Sequence, residues 1–537
     1  MRVALAQINS VLGDFEGNAN QIIRQLKHAK KRRAELVVFP ECALFGYSPN
    51  DLLERAELVG QQLKYIQKIQ KQIPSGVATI FGAITINPNK RGKLFYNSAV
   101  IVTKENKPIY FHKTLLPIGD VFDEGRFFEP GDVTKNVFKL GSKKILVTIC
   151  EDIWAWDYGK QRNLRSQNPL LNVKEKVDLV VNLSASPYCF DKLKIRESMV
   201  RQTSRRFKAP MVYVNMVGGQ DELIFDGNSF AVSKTGKIIT RGVGFEPSFN
   251  LLDLQNNSAD IPLREDSEIQ MLRQALVLGL RDFLAKNSIK KLHLGLSGGI
   301  DSAVVACLAV DAVGPANVTG IAMPSQFNDP VSLELARALA NNIGIEFKVF
   351  EIETIFNIFS EKLEGFGLTK FGLPHENLQA RLRGTTLMAW SNIANSLLLS
   401  TGNKSELASG YSTLYGDLCG GIAPIGDLLK RQVYALAKLY NEERELIPEQ
   451  IITRAPSAEL RPNQKDQDTL PEYTELDKAV EKLVTQAKPA KSKVEKWLLQ
   501  AMYKSEFKRW QAPPILKISS HSFGRGRRMP VAKKLTE

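Results

Sequence analysis

Along residues 1–250, short apolar runs alternate with amphipathic stretches. The runs at 2–8, 36–39, 78–86, 98–102, 145–149, 179–183 and 211–215 are rich in Val and Ile and bounded by Gly, Pro, Asn or Asp. That pattern predicts buried strands. Between them, 18–33 and 51–72 carry apolar residues at helical spacing, so the region reads as a layered α/β domain. Residues 254–266 (LQNNSADIPLRED) break the pattern with polar residues and Pro262. We read a linker there and draw its bounds at 251–266. A second rhythm follows: helix 268–286, strand 292–296, a glycine turn, helix 303–313, strand 318–322 and helix 330–343. It predicts a parallel, doubly wound sheet. The C-terminal end breaks into polar helical and proline-containing pieces, and no internal repeat is visible.

Composition narrows the picture only in part. The chain has 537 residues, 43% hydrophobic and 24% charged, which excludes a disordered, collagen-like or disulfide-stapled protein. At about 150 residues per domain the length allows three or four domains, whereas the pattern groups it into two large ones, 1–250 and 267–537. Net charge is +15. That favours an anionic partner without choosing among nucleic acid, a membrane surface and a phosphate ligand. Residues 503–537 hold nine Lys and Arg against two Glu, and KHAKKRR (27–33) adds five cations. The latter reads as a solvated helix face. No aromatic platform interleaves these runs, so no nucleic-acid partner is expected. Cys42, Cys150, Cys189, Cys307 and Cys419 form no disulfide framework and no CxxC pair. MRVALAQINS lacks the basic and apolar regions of a signal peptide, and no apolar run approaches the roughly 18 residues of a membrane span. A cytoplasmic protein with no membrane partner is expected.

The sharpest feature is LGLSGGIDSAVV (294–305), a strand running into glycines and then a helix. Glycines let backbone N–H groups approach an anion, and the helix start favours negative charge. Ser297 and Ser302 add hydroxyls. Asp301 would repel phosphate unless a divalent cation sits between them, so it reads as a Mg²⁺ ligand. The loop is neither a Walker A nor a dinucleotide GxGxxG fingerprint.

SGGxDS resembles the PP-loop of the N-type ATP pyrophosphatases, which cleave ATP between its α- and β-phosphates and activate a carboxylate or carbonyl as an adenylate. The resemblance places Gly295, Leu296, Ser297, Gly298, Gly299, Ile300, Asp301 and Ser302 at ATP. With NLQARLRGTTLMAWSN (377–392) and STGNKSELASGYSTLYGDLCGGIAP (400–424) it narrows to the NAD⁺ synthetases, over roughly 265–537. It implies that Thr401 contacts ATP, Lys430 the ATP phosphates, and Asn377 deamido-NAD⁺. Glu406 would face the metal or the nicotinate nucleotide. Thr401 and Glu406 also fit a helix cap and its first-turn acid. RAPSAELRPNQKDQDTLPEYTELD (454–477) is similar to the family's mobile segment. Lys508, in the basic tail, would reach the nicotinate nucleotide. Ammonia-using members carry Lys and Asp where this chain has Leu414 and Gly421, which points to the glutamine-using branch.

Ammonia must then be made. VVFPECALFGY offers Glu41, IYFHKTLLP offers Lys113 and ILVTICEDIW offers Cys150, each at a strand end. They resemble the Glu–Lys–Cys triad of the nitrilase-type amidases, over about 1–250. Cys150 would attack the glutamine amide and form a thioester. Glu41 would move the protons and Lys113 would stabilise the oxyanion. Glu124 would orient Lys113 or the base. NLSASPYCFDK is similar to the loop that recognises glutamine, with Ser186 and Lys192 as contacts. Many members carry Tyr near Gly119. The other four cysteines read as structural.

The expected fold is therefore α/β: a nitrilase-like α-β-β-α sandwich, then a Rossmann-like doubly wound parallel sheet of the PP-loop type. The expected substrates are deamido-NAD⁺, ATP with Mg²⁺, and glutamine. A homo-oligomer, at least a dimer through the second domain, and an enclosed path for ammonia are implied by the resemblance. The rivals are another PP-loop ligase or tRNA-modifying enzyme coupled to an amidase, and a non-catalytic nucleic-acid binder.

Overall fold

The computed structural model describes residues 1–156, 168–256, 258–259 and 266–534. The chain divides into two compact units: Met1–Gln220 with Ile224–Asp266, and Asp221–Leu223 with Ser267–Glu537.

The first unit contains two large sheets. One runs, in spatial order, Ser258–Ala259, Ser248–Asp253, Arg2–Gln7, Leu36–Val38, Ala78–Ile86, Phe95–Val102, Ile109–His112. The other runs Ile238–Arg241, Phe230–Val232, Met211–Asn215, Leu179–Ser184, Lys143–Ile149, Val137–Leu140. Alternation along each strand decides the layers. Val3, Leu5, Leu36 and Val38 share one core with Ile145, Val147, Val181 and Val212, the layer between the sheets. Ala4, Ala6 and Val37 face the other way, onto Ile22 and Leu26 of helix Phe15–Lys31 and Ile66 and Ile69 of helix Ala56–Gln72. Leu146 and Val180 likewise meet Met199 and Val200 of helix Lys192–Phe207. Helix, sheet, sheet and helix are thus stacked. Both faces of each sheet are buried, which is why the strands read as nearly continuous apolar runs.

The boundary drawn at residue 250 cuts through a strand. Leu251 and Leu252 are buried in Ser248–Asp253, which pairs antiparallel with Arg2–Gln7. Their apolar side chains make them sheet rather than linker. Residue 257 and residues 260–265, Pro262 among them, lie outside the described residues.

The second unit holds a four-stranded parallel sheet in the order Glu346–Val349, Val318–Ala322, Leu292–Gly295, Leu397–Leu398. The strand that enters the glycine turn lies inside the sheet, with the next strand on one side and the last on the other. This reversal of direction opens a crevice at the strand's carboxyl end, where such sheets bind ligands. Helix Ile300–Val313 starts three residues earlier than the apolar pattern predicts, with Gly299 as its cap. Helix Glu268–Lys286 opens on a capping box of Ser267 and Gln270. Among the described residues no helix is long and apolar enough to cross a membrane. Lys27, Lys30, Lys31 and Arg33 are exposed, as a solvated face requires.

Candidate active sites

In the first unit, three strand ends deliver one buried chain of charges. Glu41 follows strand Leu36–Val38, Lys113 follows Ile109–His112, and Cys150 follows Lys143–Ile149. Lys113 Nζ donates to Glu41 Oε1 at 2.7 Å and to Glu124 Oε1 at 2.9 Å. All three side chains are out of solvent. Glu41 is held at both oxygens: Asn97 Nδ2 donates to Oε1 at 2.7 Å and the Ala185 N–H donates to Oε2 at 2.9 Å. Tyr47 donates its hydroxyl to Glu124 Oε1 at 2.8 Å, and Glu124 Oε2 is buried without a partner among the described residues. Gly82, in the neighbouring strand, makes room for this turn. A Cβ there would lie 2.0 Å from the backbone nitrogen of Cys42.

Burial penalises each charge, and the neighbours decide what survives. Burial works against the Lys113 ammonium, but Glu124 and Glu41 outweigh it and push its pKa well up. Glu124 is raised by burial to about 7, with Lys113 pulling it down and Glu41 pushing it up. Burial, then Glu41, push the Cys150 thiol well up. Burial therefore favours the neutral thiol at Cys150, and the Glu41 charge adds to that preference.

Cys150 adopts φ +43° at its strand end. Ser186 is buried, with its hydroxyl accepting from Arg196 Nε at 3.2 Å, and Arg196 is itself paired with Asp226 at 2.7 Å. Lys192 Nζ lies 5.4 Å from the ring centre of Trp154, in the turn Cys150–Trp156. Gly119 sits at φ +107° in a two-strand hairpin just before Glu124, a backbone shape that a tyrosine rarely takes. Cys42 is packed, as expected, with its sulfur 3.7 Å from Asn97 Oδ1.

In the second unit the glycine turn lines a cavity of about 620 Å³. Gly295, Leu296, Ser297, Gly298, Gly299, Ile300, Asp301, Ser302, Thr401, Glu406 and Lys430 all reach its wall. Gly298 has φ +81°, and a Cβ there would fall 2.3 Å from the Ser332 carbonyl oxygen, so only glycine fits. The Gly299 N–H is held by Ser297 Oγ at 3.2 Å, and Gly299 caps the helix without a side-chain partner. Lys430 Nζ is 2.5 Å from Asp301 Oδ2 and 3.6 Å from Glu406 Oε1. Burial, then Asp301, raise Glu406 to about 8. Burial opposes the Lys430 charge, but Asp301 and Glu406 raise its pKa.

The helix that follows Thr401 is capped by Asn403, not Thr401. Asn403 Oδ1 accepts from the Ser405 and Glu406 N–H groups, and the Glu406 side chain completes a capping box. Asn403 Nδ2 also donates to Asp301 Oδ1 at 3.0 Å, tying this helix to the glycine turn. Thr401 is thus left free of the capping role and lines the cavity.

Asn377 and Lys508 do not line the cavity. Asn377 Oδ1 accepts from Thr413 Oγ1 at 2.8 Å, and Lys508 Nζ donates to the Gly410 and Ser412 carbonyls at 2.9 and 2.6 Å. Both brace the 410–413 turn, whose Tyr411 and Thr413 are the residues at the wall. A Cβ at Gly421 would meet Leu397 Cδ1 at 2.2 Å, and Leu414 packs beside a buried core. The segment beginning at Arg454 is folded against the cavity: Arg454 and Glu459 pair at 2.9 Å, and both bond Ser332 Oγ.

Sequence reasoning missed Asn97, Asp152 and Arg383. Asn97 is a buried amide inside the apolar strand FYNSAVIV, a detectable anomaly. Arg383 lines the cavity, donates to the Met323 carbonyl at 3.1 Å and to Asn328 Oδ1 at 3.0 Å, and is lowered by burial to about 10. Its helical context gave no such signal.

Residues 2–255 match the carbon-nitrogen hydrolase family and residues 272–512 the NAD synthase family. The glutamine-dependent NAD(+) synthetase of Synechocystis sp. is 42% identical, the match covering 99% of this chain and 98% of that protein. The Thermotoga maritima protein of that name is 39% identical over 100% and 99%. A solved structure of the Acinetobacter baumannii glutamine-dependent NAD⁺ synthetase, in complex with ADP, superposes with TM-score 0.76 at 35% identity. That match covers 99% of this chain and 98% of the other.

Proposed function

The chain belongs to the glutamine-dependent NAD(+) synthetases, and from that premise we propose how its two sites divide the reaction. The enzyme amidates deamido-NAD⁺ to NAD⁺ with ATP and with glutamine as the amide donor. We assign the glutaminase to the first unit, through strand Ser248–Asp253, and the synthetase to the second. The observation that carries the residue assignment is the buried Glu41–Lys113–Glu124 chain beside Cys150.

Glu41 takes the thiol proton as Cys150 attacks the side-chain amide carbon of glutamine. Lys113, fixed by two carboxylates, donates to the tetrahedral oxyanion, a contribution worth a few kcal/mol. Glu41 passes the proton to the leaving ammonia and leaves a thioester. It then activates the water that releases glutamate and restores the thiol. Ser186 and Lys192 are the proposed glutamine contacts, supported by Ser186 following Ala185, whose N–H holds Glu41, and by Lys192 lying over Trp154 of the Cys150 turn.

In the second unit the glycine turn and Lys430 hold the ATP phosphates, and Thr401 lines the nucleotide site. The nicotinate carboxylate attacks the α-phosphorus, pyrophosphate leaves, and ammonia displaces AMP from the adenylate. Among the described residues no cluster of three ligands could hold a metal alone. Asp301 and Glu406 nonetheless fit Mg²⁺, which takes one or two carboxylates and fills its remaining positions with phosphate and water. Bound there, the ion would neutralise phosphate charge. Asn377 and Lys508 act on deamido-NAD⁺ through the turn they brace, and Glu406 faces the same substrate.

We further propose a cytoplasmic homodimer joined through helices Glu353–Glu364 and Leu373–Ala394. Its support is a row of exposed apolar side chains, among them Ile358 at 53% and Ile393 at 76%. Light scattering tests the dimer. NAD⁺ formation from deamido-NAD⁺, ATP and either glutamine or ammonium tests the reaction, and absence of product in both arms overturns it.

A further inference from the structure

Asp152 takes no part in the chemistry above, yet it is fully buried between the two segments that carry it. Its Oδ2 accepts the Ile149 N–H at 2.9 Å, at the last strand residue before Cys150. Its Oδ1 accepts the N–H groups of Thr114 and Leu115, each at 2.9 Å, in the two residues after Lys113. One carboxylate thereby ties the turn of the nucleophile to the loop of the oxyanion donor.

The tie acts at a point where the backbone needs holding. Cys150 sits at φ +43°, outside the extended strand that leads to it. The Ile149 N–H would otherwise lie buried and unpaired where the strand ends, as would the amides beyond His112 where that strand stops. A carboxylate offers two oxygens that both accept, which three convergent N–H groups require. An amide cannot replace it, since one of its two ends donates. Burial raises the Asp152 carboxyl to about 6, and the Leu115, Ile149 and Thr114 N–H groups together with Lys113 oppose that rise.

We propose that Asp152 is a positioning residue of the glutaminase: it sets the spacing between the Cys150 thiol and the Lys113 ammonium through their backbones. The inference rests on Cys150 being the nucleophile. In Asp152→Asn an N–H of the amide confronts an N–H of the backbone, so the two segments separate. Displacement of reacting groups by about 1 Å costs about 10²-fold in rate.

The test uses the full-length enzyme and its two ammonia sources. In Asp152→Asn, kcat with glutamine falls about 10²-fold while KM for glutamine and synthesis from ammonium stay within about twofold. Alkylation of Cys150 by a glutamine-like chloroketone slows in parallel, a readout that a purely structural role elsewhere in the unit would not move. Asp152→Ser, which accepts one N–H, falls between wild type and Asn. Wild-type kcat with glutamine in Asp152→Asn overturns the proposal. So does loss of near-UV circular dichroism in both variants, which makes Asp152 a folding residue only. Cys150→Ala run alongside separates the two readings: if it keeps glutamine-driven synthesis, the nucleophile assignment has failed instead.

Discussion

Each site is built on a lysine held between two carboxylates, and the two settings differ in what surrounds them. Lys113 bonds Glu41 and Glu124 at 2.7 and 2.9 Å, and all three are shut away from solvent. Lys430 stands at 2.5 Å from Asp301 and 3.6 Å from Glu406, on the wall of a cavity of about 620 Å³. The first arrangement is complete as it stands. Its lysine is paired at both carboxylates, and in the proposed reading the side-chain amide of glutamine needs only a nucleophile, a base and one donor. The second pairs its lysine with carboxylates that, in the proposed reading, an arriving polyphosphate displaces or bridges. Preorganisation suits a reaction in which charge develops late. An exchangeable pair suits a ligand that arrives charged.

The largest expected effect breaks the comparison at its first member. Cys150→Ala should lower glutamine-driven NAD⁺ synthesis by at least about 10³-fold, the scale of losing a covalent nucleophile, and leave ammonium-driven synthesis intact. Steady-state assays with the two donors decide it. Loss of both would mean that the first site is not separable from the second.

Lys430→Ala strikes the other lysine. Both donor routes should fall together, by about 10²-fold in kcat/KM for ATP. Selective loss of the glutamine route would contradict the phosphate role.

Gly298→Ala sharpens the contrast in backbone. A Cβ at φ +81° and 2.3 Å from the Ser332 carbonyl must displace the turn. Destabilisation of about 1–3 kcal/mol is expected, together with a raised KM for ATP and an unchanged KM for glutamine. Denaturant unfolding and initial rates check both.

The smallest effect concerns pH. Glu124 is raised from an ordinary 4.5 to about 7 by burial. It holds its proton more tightly folded than unfolded, so its contribution is full below about 4.5 and is lost as pH rises through about 7. Between those values the Tm of the glutaminase unit should fall, each kcal/mol of lost stability lowering it by about 2–4 °C in a unit of this size. Glu124→Gln, which cannot ionise, should flatten that slope in scanning calorimetry.

Much of this was legible before any coordinates. The strand expectations at 78–86 and 211–215 coincide with Ala78–Ile86 and Met211–Asn215, because sheets buried on both faces print continuous apolar runs. The placement of short local strings was equally plain: SGGIDS at a strand–helix junction, and Cys150, Glu41 and Lys113 at strand ends. Asn97 and Asp152 escaped because their roles are made by partners 56 residues away, at Glu41, and 38 and 37 residues away, at Thr114 and Leu115. Thr401 was open to reading as a cap because one residue type serves both jobs, and only the position of Asn403 resolved it.

The sequence by itself determined which residues carry reactive groups and where the chain turns, since period, glycine and side-chain chemistry are local properties. Tertiary structure decided which of those groups share a charge. It placed Lys113 between Glu41 and Glu124 and moved Asn377 and Lys508 behind the cavity wall. The physical reason is that pKa and hydrogen-bond satisfaction depend on distance and burial, and neither is written in the order of residues along the chain.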